Sequence, residues 1–346
     1  MKLSILLPYK ENFSSDYAGA VSLLLKDTTP LSKFKKNIKI YGSTKYKKDI
    51  LKNEYVNLSL KKFFFQSRSN IYIKNFLKNE KNKKSVLIEV HNRPNYINQI
   101  SKVNSSIVLY FHNNPLEMKG SKKIKERINL LNKTKKIIFI SRWLKNKFFT
   151  GINKKDYNKK YIVIPHSTDK KVINFKKKEN LIIFVGRLNK SKGYDIFGKS
   201  IENILKKYPN WKGIVIGDEP REAYDFKHKN LKILGFKKHH QVIKWFKKSE
   251  ISVVCSRWEE PFGRTALEAS SAGCAVIISN KGGLAEASPK AIKLNKLTVK
   301  SLENLIIKLV KNKNLRKSMQ KKIYKHFYLT NSYISNKIDS YRDNLI

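Results

Sequence analysis

Short apolar runs alternate with polar stretches of helical length along this 346-residue chain. Runs of four or five mostly apolar residues are too short for ordinary helices, so they predict strands. In the first half these strands are Leu3–Leu7, Ile38–Tyr41, Val86–Val90, Ile107–Phe111, Lys136–Ile140 and Tyr161–Ile164. The segments between them predict the helices Ile71–Lys78, Tyr96–Val103, Lys122–Leu131 and Arg142–Phe149. Apolar strands that alternate with helices are typical of a parallel α/β sheet covered on both faces.

The same alternation starts again in the second half of the chain. Its predicted strands are Leu181–Val185, Gly213–Ile216, Leu231–Leu234, Ile251–Val254 and Ala275–Ile278. Its predicted helices are Gln241–Lys248, Arg264–Ala272 and Val299–Lys311. A chain of this length with two sets of strands favours two doubly wound domains. We place the boundary in the charged stretch after Pro165, which gives domains 1–168 and 169–330.

The last segment, residues 331–346, exceeds what the second domain needs. Its apolar and aromatic positions, Tyr333, Ile334, Ile338 and Tyr341, recur at helical spacing. We therefore expect a helix here that crosses back and packs on the first domain.

The charge of the chain is extreme but evenly distributed. Lys and Arg number 74 against 26 Asp and Glu, which gives a formal net charge of +48. Both halves are strongly basic, and Lys, Asn and Ile are frequent everywhere, which favours codon bias over a dedicated basic patch. Such a chain is nevertheless attracted to anionic surfaces at low salt, so membrane or nucleic-acid binding stays open.

The cellular setting follows from what the sequence contains near its start and from its cysteines. No run of about 18 uncharged apolar residues predicts a membrane-spanning helix. Met1–Pro8 matches a first strand better than a signal peptide, so we expect a cytoplasmic protein. Cys255 and Cys274 lie in apolar segments, which predicts buried reduced thiols, and no metal-ligand spacing occurs.

One segment, 259–269, places two acidic residues at a strand-to-helix junction. Glu260 lies in the loop before the predicted helix, and Glu268 lies on its first turns. A helix start suits phosphate through its free N–H groups and dipole, and Gly263 permits close backbone approach. Glu268 is suited to a ribose diol and Glu260 to sugar hydroxyls, whereas an ordinary acidic helix cap is the alternative.

Two further strand-to-helix turns carry cations or glycines. Arg187 follows a strand that ends at Val185, and Lys192 lies five residues later. Both can clamp a diphosphate and stabilise charge on a leaving group, although a solvated basic turn is the alternative. Gly282 and Gly283 follow another strand, where consecutive glycines can direct N–H groups to an anion or simply form a turn.

Histidines follow two predicted strands of the first domain. His91 comes directly after Val90, and His112 directly after Phe111. Because ligands bind at the carboxyl ends of parallel strands, we expect both histidines near that edge. A histidine satisfied locally at a strand end is the alternative.

Together, the segments in residues 181–290 resemble glycosyltransferase family 4 in order, spacing and setting. The resemblance covers essentially the whole chain and implies the GT-B fold, in which two Rossmann-like domains face a cleft. It implies that Arg187 and Lys192 bind the donor's phosphates, that Glu268 binds the ribose and that Glu260 contacts the transferred sugar. The donor-binding residues so implied are Arg187, Lys192, Glu260, Phe262, Gly263, Glu268, Gly283, Leu284 and, after the first strand, Gly19. The catalytic residues so implied are Glu260, His112, Arg187 and Lys192, with His91 as the second histidine.

The resemblance also implies an activity. It is a retaining, metal-independent transfer of a sugar from a nucleotide-sugar, a UDP- or GDP-sugar, to an envelope glycan or glycolipid. The nucleotide-sugar is a substrate, so no cofactor or metal is implied. Such an enzyme is expected in the cytoplasm, including as a peripheral protein on the inner face of the cell membrane.

Two other functions stay open on the sequence alone. A nucleotide-sugar epimerase is built on the same paired fold and needs no acceptor. A basic membrane-surface or nucleic-acid binding protein is the other, because Lys61–Phe65 mixes charge with aromatic rings. We expect no specific nucleic-acid partner, since a buried strand with lysine flanks also explains that segment.

Overall fold

The chain folds into two α/β domains in a computed structural model that describes residues 1–61, 67–82 and 84–346. The first domain comprises residues 1–167 and 331–346, and the second comprises residues 168–330. The sequence placed the boundary one residue later and assigned the tail in the same way. Residues 62–65 of the predicted aromatic and basic cluster lie outside the described residues.

The first domain contains a seven-stranded parallel sheet in the order β3-β2-β1-β4-β5-β6-β7. Its strands are β1 (Leu3–Leu6), β2 (Ile38–Gly42), β3 (Tyr55–Asn57), β4 (Leu87–His91), β5 (Ile107–Phe111), β6 (Lys136–Phe139) and β7 (Tyr161–Val163). Its helices before the boundary are α1 (Ala20–Thr28), α2 (Arg68–Asn82), α3 (Ile97–Ile100), α4 (Ile124–Lys133) and α5 (Arg142–Phe148). Short 3-10 helices span Thr29–Leu31, Lys35–Asn37, Pro94–Tyr96, Pro115–Glu117 and Lys154–Lys160. The central strands β1, β4 and β5 are buried along their whole length, which explains why apolar residues predominate in their sequences.

The second domain contains a six-stranded parallel sheet in the order β10-β9-β8-β11-β12-β13. Its strands are β8 (Glu179–Val185), β9 (Lys212–Ile216), β10 (Leu231–Ile233), β11 (Ser249–Val254), β12 (Ala275–Ser279) and β13 (Ile292–Leu294). Its helices are α6 (Tyr194–Lys207), α7 (His239–Lys248), α8 (Arg264–Ser271), α9 (Leu284–Ala287), α10 (Val299–Lys311) and α11 (Lys313–Lys325). Short 3-10 helices span Phe175–Lys177 and Lys190–Lys192. Strands β8 and β11 are neighbours, so the loops after Val185 and Val254 leave the sheet side by side.

The C-terminal helix α12 (Asn331–Asp343) packs on the first domain, as the sequence predicts. Its Arg342 guanidinium forms two hydrogen bonds with the buried carboxylate of Glu89 in β4, at 2.7 and 2.9 Å. The Tyr341 hydroxyl donates to the same carboxylate. Asp339 accepts a hydrogen bond from the hydroxyl of Ser32, beyond the end of α1, and another from the Lys33 N–H. The helix is thus held by a buried polar network as well as by its apolar face.

The structure corrects the sequence analysis at several elements. The predicted helix Tyr96–Val103 is a single turn, α3 (Ile97–Ile100), which follows a 3-10 turn at Pro94–Tyr96. The edge strands β3 and β13 have three residues each and were not predicted. Both cysteines are free and buried, as expected. Among the helices that the structure describes, none is long and apolar enough to cross a membrane.

Candidate active site

A pocket lies at the carboxyl edge of the second sheet, where β8 and β11 end. Its empty volume is about 370 Å³. The strand ends contribute Val185, Gly186 and Val254, and the junction before α8 contributes Glu260 and Gly263. Lys192 also lines it. The structure therefore brings together predicted residues that are up to 71 positions apart, from Lys192 to Gly263.

Lys192 and Glu260 form an ion pair in this pocket. The Lys192 Nζ lies 2.5 Å from Glu260 Oε1, and both side chains are mostly buried. The same ammonium lies over the ring of Trp258, 4.6 Å from its centroid. This ion pair is partly buried and also open to the pocket. It therefore offers one ligand both a cation and a carboxylate that accepts hydrogen bonds from hydroxyl groups.

The turn that carries Lys192 is fixed by its local sequence. The Asn189 side-chain oxygen accepts hydrogen bonds from the Lys192 N–H at 3.0 Å and from the Ser191 hydroxyl at 2.9 Å. Gly193 then adopts φ of +75°, and a Cβ there would lie 2.0 Å from the carbonyl oxygen of Cys255. Only glycine fits that position, so the chain can turn into α6 directly against the loop after β11.

Glu268, one turn into α8, is held by two partners. Arg264 Nε lies 2.7 Å and His239 Nε2 2.9 Å from Glu268 Oε1. Burial favours the neutral acid, but the charge of Arg264 and the hydrogen bond from His239 together hold its pKa below the usual range. The carboxylate therefore stays ionised, and both of these contacts are made by its Oε1 atom.

Arg187 lies beside the same pocket but points into solvent. It is exposed, and it forms no hydrogen bond or ion pair with the residues that the structure describes. Its neighbour Gly186 lines the pocket. An unengaged guanidinium at the rim of a concave site is available to a phosphate group of a ligand.

The predicted backbone donors of Gly283 and Leu284 are already used. The Gly283 N–H donates to the Glu260 carbonyl at 2.6 Å, and the Leu284 N–H donates to the Lys281 carbonyl at 3.3 Å. These bonds hold the start of α9 against the loop of Glu260. The Phe262 side chain is buried in the same junction. Contact between these two N–H groups and a ligand stays a prediction, and it requires exchange of those bonds.

Gly263 begins α8 with φ of +102°, a left-handed conformation that favours glycine. A Cβ at this position would lie 2.4 Å from a methyl carbon of Leu284. This close approach of the loop to α9 explains why glycine precedes the helix. Arg264 and Thr265, the first residues of α8, line the pocket, and the first N–H groups of a helix have no partner within the helix.

In the first domain, three histidines form a buried row. His91 Nδ1 lies 2.9 Å from His112 Nε2, and His112 Nδ1 lies 3.2 Å from His166 Nε2. Burial, followed by the charge of Arg342, lowers the pKa of His91 to about 3. Burial and the neighbouring His91 hold the pKa of His112 well below its usual value. His112 is thus neutral, with both ring nitrogens engaged, and His166 is a member that the sequence analysis did not assign.

The space beside Gly19 is filled by an acidic side chain. A Cβ at Gly19 would lie 2.5 Å from Glu11 Oε1. That oxygen also accepts hydrogen bonds from the Ser22 N–H and hydroxyl, at 3.0 and 2.8 Å. Glu11 therefore occupies the start of α1, where the sequence analysis expected Gly19 to serve a ligand.

Sequence reasoning also missed His239, which is the first residue of α7 and reaches Glu268 from another element. Its only sequence signal was the pair of histidines at 239 and 240. The described residues contain no group of three or more His, Cys, Asp or Glu arranged to hold a metal ion.

One family model matches most of the second half of the chain. Residues 166–326 match the family model described as "Glycosyl transferases group 1". The match contains the whole pocket and the three segments on which the predicted resemblance depends. The match agrees with the predicted resemblance over this part of the chain.

Two curated relatives match parts of the chain. An uncharacterized glycosyltransferase of Methanocaldococcus jannaschii is 34% identical over 116 residues, 31% of this chain and 29% of the relative. The lipopolysaccharide core biosynthesis mannosyltransferase LpsB of Rhizobium meliloti is 28% identical over 127 residues, 34% of this chain and 36% of the relative. The matched segments thus span about a third of the length of these relatives.

A solved structure matches over the full length. Anabaena Alr3699/HepE, crystallised with UDP and glucose, superimposes with a TM-score of 0.75, 15% identity and 99% coverage of both chains. At this identity the likeness establishes the fold alone. The predicted GT-B fold class is confirmed.

Proposed function

We propose that the whole chain is a glycosyltransferase whose donor is a nucleotide-sugar, because residues 166–326 match the family model described as "Glycosyl transferases group 1". The observation that carries the proposal is the pocket in which Lys192 and Glu260 pair beside Gly186 and the start of α8. It offers what a sugar diphosphate requires: cations and helix N–H groups for phosphate, and a carboxylate for hydroxyls.

We assign the donor's phosphates to Arg187 and Lys192. Arg187 is unengaged at the rim, and Lys192 can give its ammonium to a phosphate oxygen while Glu260 turns to the sugar. As the bond to the anomeric carbon breaks, negative charge grows on the diphosphate, and both cations stabilise it. Because these side chains neutralise the leaving group, the transfer proceeds without a metal ion in our proposal.

The proposed transfer retains the anomeric configuration. The acceptor hydroxyl attacks the anomeric carbon on the face from which the diphosphate leaves, and a departing phosphate oxygen takes its proton. No strong side-chain base is then required, in keeping with His112, which is neutral and engaged at both nitrogens. Measuring the anomeric configuration of the product by NMR tests this step, and an inverted product contradicts it.

We propose UDP or GDP as the nucleotide and an envelope glycan or glycolipid as the acceptor. The likeness to a protein crystallised with UDP supports the first, and the name of the lipopolysaccharide core relative supports the second. The net charge of +48 fits work at an anionic cytoplasmic membrane face. Sedimentation with anionic vesicles at low and high salt tests the membrane part, which fails if the protein stays in the supernatant.

The donor is identified by thermal unfolding with a panel of UDP-, GDP- and ADP-sugars. A ligand that binds the folded state raises the unfolding temperature by mass action, so one nucleotide class is expected to stand out. The product formed from that donor alone is then analysed. Slow release of free sugar and nucleoside diphosphate fits a transferase without its acceptor, whereas an epimerised sugar contradicts the proposal.

A further inference from the structure

A second concavity lies in the second domain, away from the candidate active site. Its empty volume is about 1270 Å³. Six of its eleven lining residues are cationic: Lys176, Lys178, Lys313, Arg316, Lys317 and Lys321. One carboxylate, that of Glu250, lies among them. We call this concavity the amino-edge basin.

The amino-edge basin and the candidate active site lie at opposite edges of the same sheet. The basin is lined by Lys178 and Asn180 at the start of β8 and by Glu250 at the start of β11. The active-site pocket is lined by Val185 and Val254, where the same strands end. Strand β8 has seven residues, so about 20 Å of strand separates the two sites. The basin is therefore a separate site rather than an extension of the donor pocket.

The basic lining exceeds what the composition of the chain supplies. Lys and Arg are 74 of 346 residues, so eleven residues taken at random would include two or three, whereas the basin has six. The candidate active-site pocket shows the contrast, with two cations among ten lining residues. Codon bias alone does not account for this local concentration.

Three of the six cationic side chains contact other groups of the protein. Arg316 and Lys317 contact the two oxygens of Glu250, at 2.5 and 2.8 Å. The Lys178 ammonium donates to three backbone carbonyls, of Phe246, Lys247 and Ser249, at 3.2, 3.1 and 2.7 Å. These contacts hold the three cationic side chains in place. The negative charge of Glu250 is balanced by its two cationic partners.

The other three cationic side chains form no such contacts with the residues that the structure describes. Lys176, Lys313 and Lys321 are exposed, and their ammonium groups form no hydrogen bond or ion pair with the described residues. Lys313, Lys317 and Lys321 lie four residues apart on α11, so they share one face of that helix. Ammonium groups around one concavity repel one another, and a bound anion lowers this electrostatic repulsion.

We propose that the amino-edge basin binds a compact polyanion carrying two or more phosphate groups. A hollow surrounded by separate ammonium groups fits a small multivalent anion better than a flat membrane or a nucleic-acid duplex, because lysines act as point charges that can converge on phosphate oxygens. The site goes beyond the proposed sugar transfer and does not depend on it.

Inorganic tripolyphosphate is the probe, and binding is measured by isothermal titration calorimetry. All proteins carry Arg187→Ala and Lys192→Ala, so that the donor pocket contributes little. In that background we expect binding of one tripolyphosphate per chain. Adding Lys313→Ser and Lys321→Ser is expected to weaken it by at least about tenfold, whereas adding Lys293→Ser and Lys300→Ser is expected to change it by less than about twofold.

The control pair is matched in charge and setting, because Lys293 and Lys300 are exposed in the same domain and lie outside the basin. Equal weakening by both pairs would mean unspecific attraction by net charge and would overturn the proposal, as would absence of binding in the background protein. A parallel arm uses phosphatidylcholine vesicles containing phosphatidic acid. Basin-dependent binding to vesicles with none to tripolyphosphate would assign the basin to a lipid surface and contradict a compact ligand.

Discussion

The ammonium of Lys192 lies 2.5 Å from a carboxylate oxygen of Glu260, although 68 positions separate the two residues in the chain. The two sit on loops that leave the neighbouring strands β8 and β11. Without a ligand each satisfies the other. In the proposed function, the donor's phosphate becomes the partner of Lys192 and its sugar hydroxyls the partners of Glu260, so the pair separates when the donor binds.

The Lys192–Glu260 pair is expected to be essential for turnover. Lys192→Ala removes charge that stabilises the leaving diphosphate, and Glu260→Gln removes an acceptor for sugar hydroxyls. Each change is expected to lower kcat by about a hundredfold or more, the usual scale for one such electrostatic contact. Turnover is measured as release of nucleoside diphosphate from the donor found in the panel.

A neighbouring lysine supplies the control for that experiment. Lys190 lies in the same turn and is exposed, and Lys190→Ala is expected to retain kcat within about twofold because its side chain does not line the pocket. Circular dichroism and thermal unfolding establish that all variants are folded. Full activity of a folded Lys192→Ala or Glu260→Gln protein contradicts the roles assigned here.

Glu268 links the site to the pH dependence of stability. Its pKa is lowered in the folded state, so its stabilising contribution is present above the unfolded-state pKa and is lost as pH falls through the folded value. Glu268→Gln is expected to cost about 3 kcal/mol at neutral pH, because Arg264 loses its charged partner. Near the folded pKa the difference should shrink, since the wild-type acid is then neutral too. Urea unfolding across that pH range measures this, and a constant difference would disprove the linkage.

The histidine row predicts loss of stability at mildly acidic pH. The pKa of His91 is about 3 when folded, below the ordinary value near 6.5, so only the unfolded chain takes up its proton in between. Stability is therefore complete above about pH 6.5 and falls by about 1.4 kcal/mol per pH unit for each such histidine as pH decreases. His112 acts in the same direction.

Two variants separate this effect from general acid denaturation. His91→Gln removes one titrating group. The free energy of unfolding, measured in urea between pH 4 and 6.5, should therefore depend on pH less steeply, by the equivalent of about one proton. The exposed His240 lies outside the row, and His240→Gln is the control for replacing a histidine as such. Equal slopes in wild type and His91→Gln would refute a neutral buried row.

The attachment of α12 to the first domain predicts a contrast between two charged residues one position apart. Arg342→Met leaves the buried Glu89 carboxylate without its bidentate partner, which is expected to cost about 3–5 kcal/mol. Asp343 forms only an exposed pair with Lys33, so Asp343→Asn is expected to cost less than about 1 kcal/mol. Chemical denaturation monitored by circular dichroism measures both, and similar losses would contradict a special role for Glu89–Arg342.

The sequence predicted each buried strand that has three or more apolar residues. The central strands β1, β4 and β5 were predicted because both of their faces are covered. The three-residue edge strands β3 and β13 gave too short a run to stand out from loops. Helix α6 was missed despite a clear signal, since its buried positions, including Phe197, Ile201 and Ile204, recur at helical spacing.

The sequence identified candidate site residues by their type and position, but it did not identify the residues that contact them. Glu260, Glu268 and Lys192 stood out because each lies at a strand-to-helix turn with chemistry suited to a sugar nucleotide. Their partners depend on strand order, which no local pattern encodes. For that reason His239 on Glu268 and Glu11 beside Gly19 emerged only from the structure.

The most direct test of the donor pocket is calorimetric titration of the protein with UDP, GDP and ADP. We predict that one of them binds with a stoichiometry of one per chain, that this binding is lost when Arg187→Ala and Lys192→Ala are combined, and that it persists in Lys190→Ala. Absence of binding by all three nucleotides, or undiminished binding by the double variant, would contradict the account.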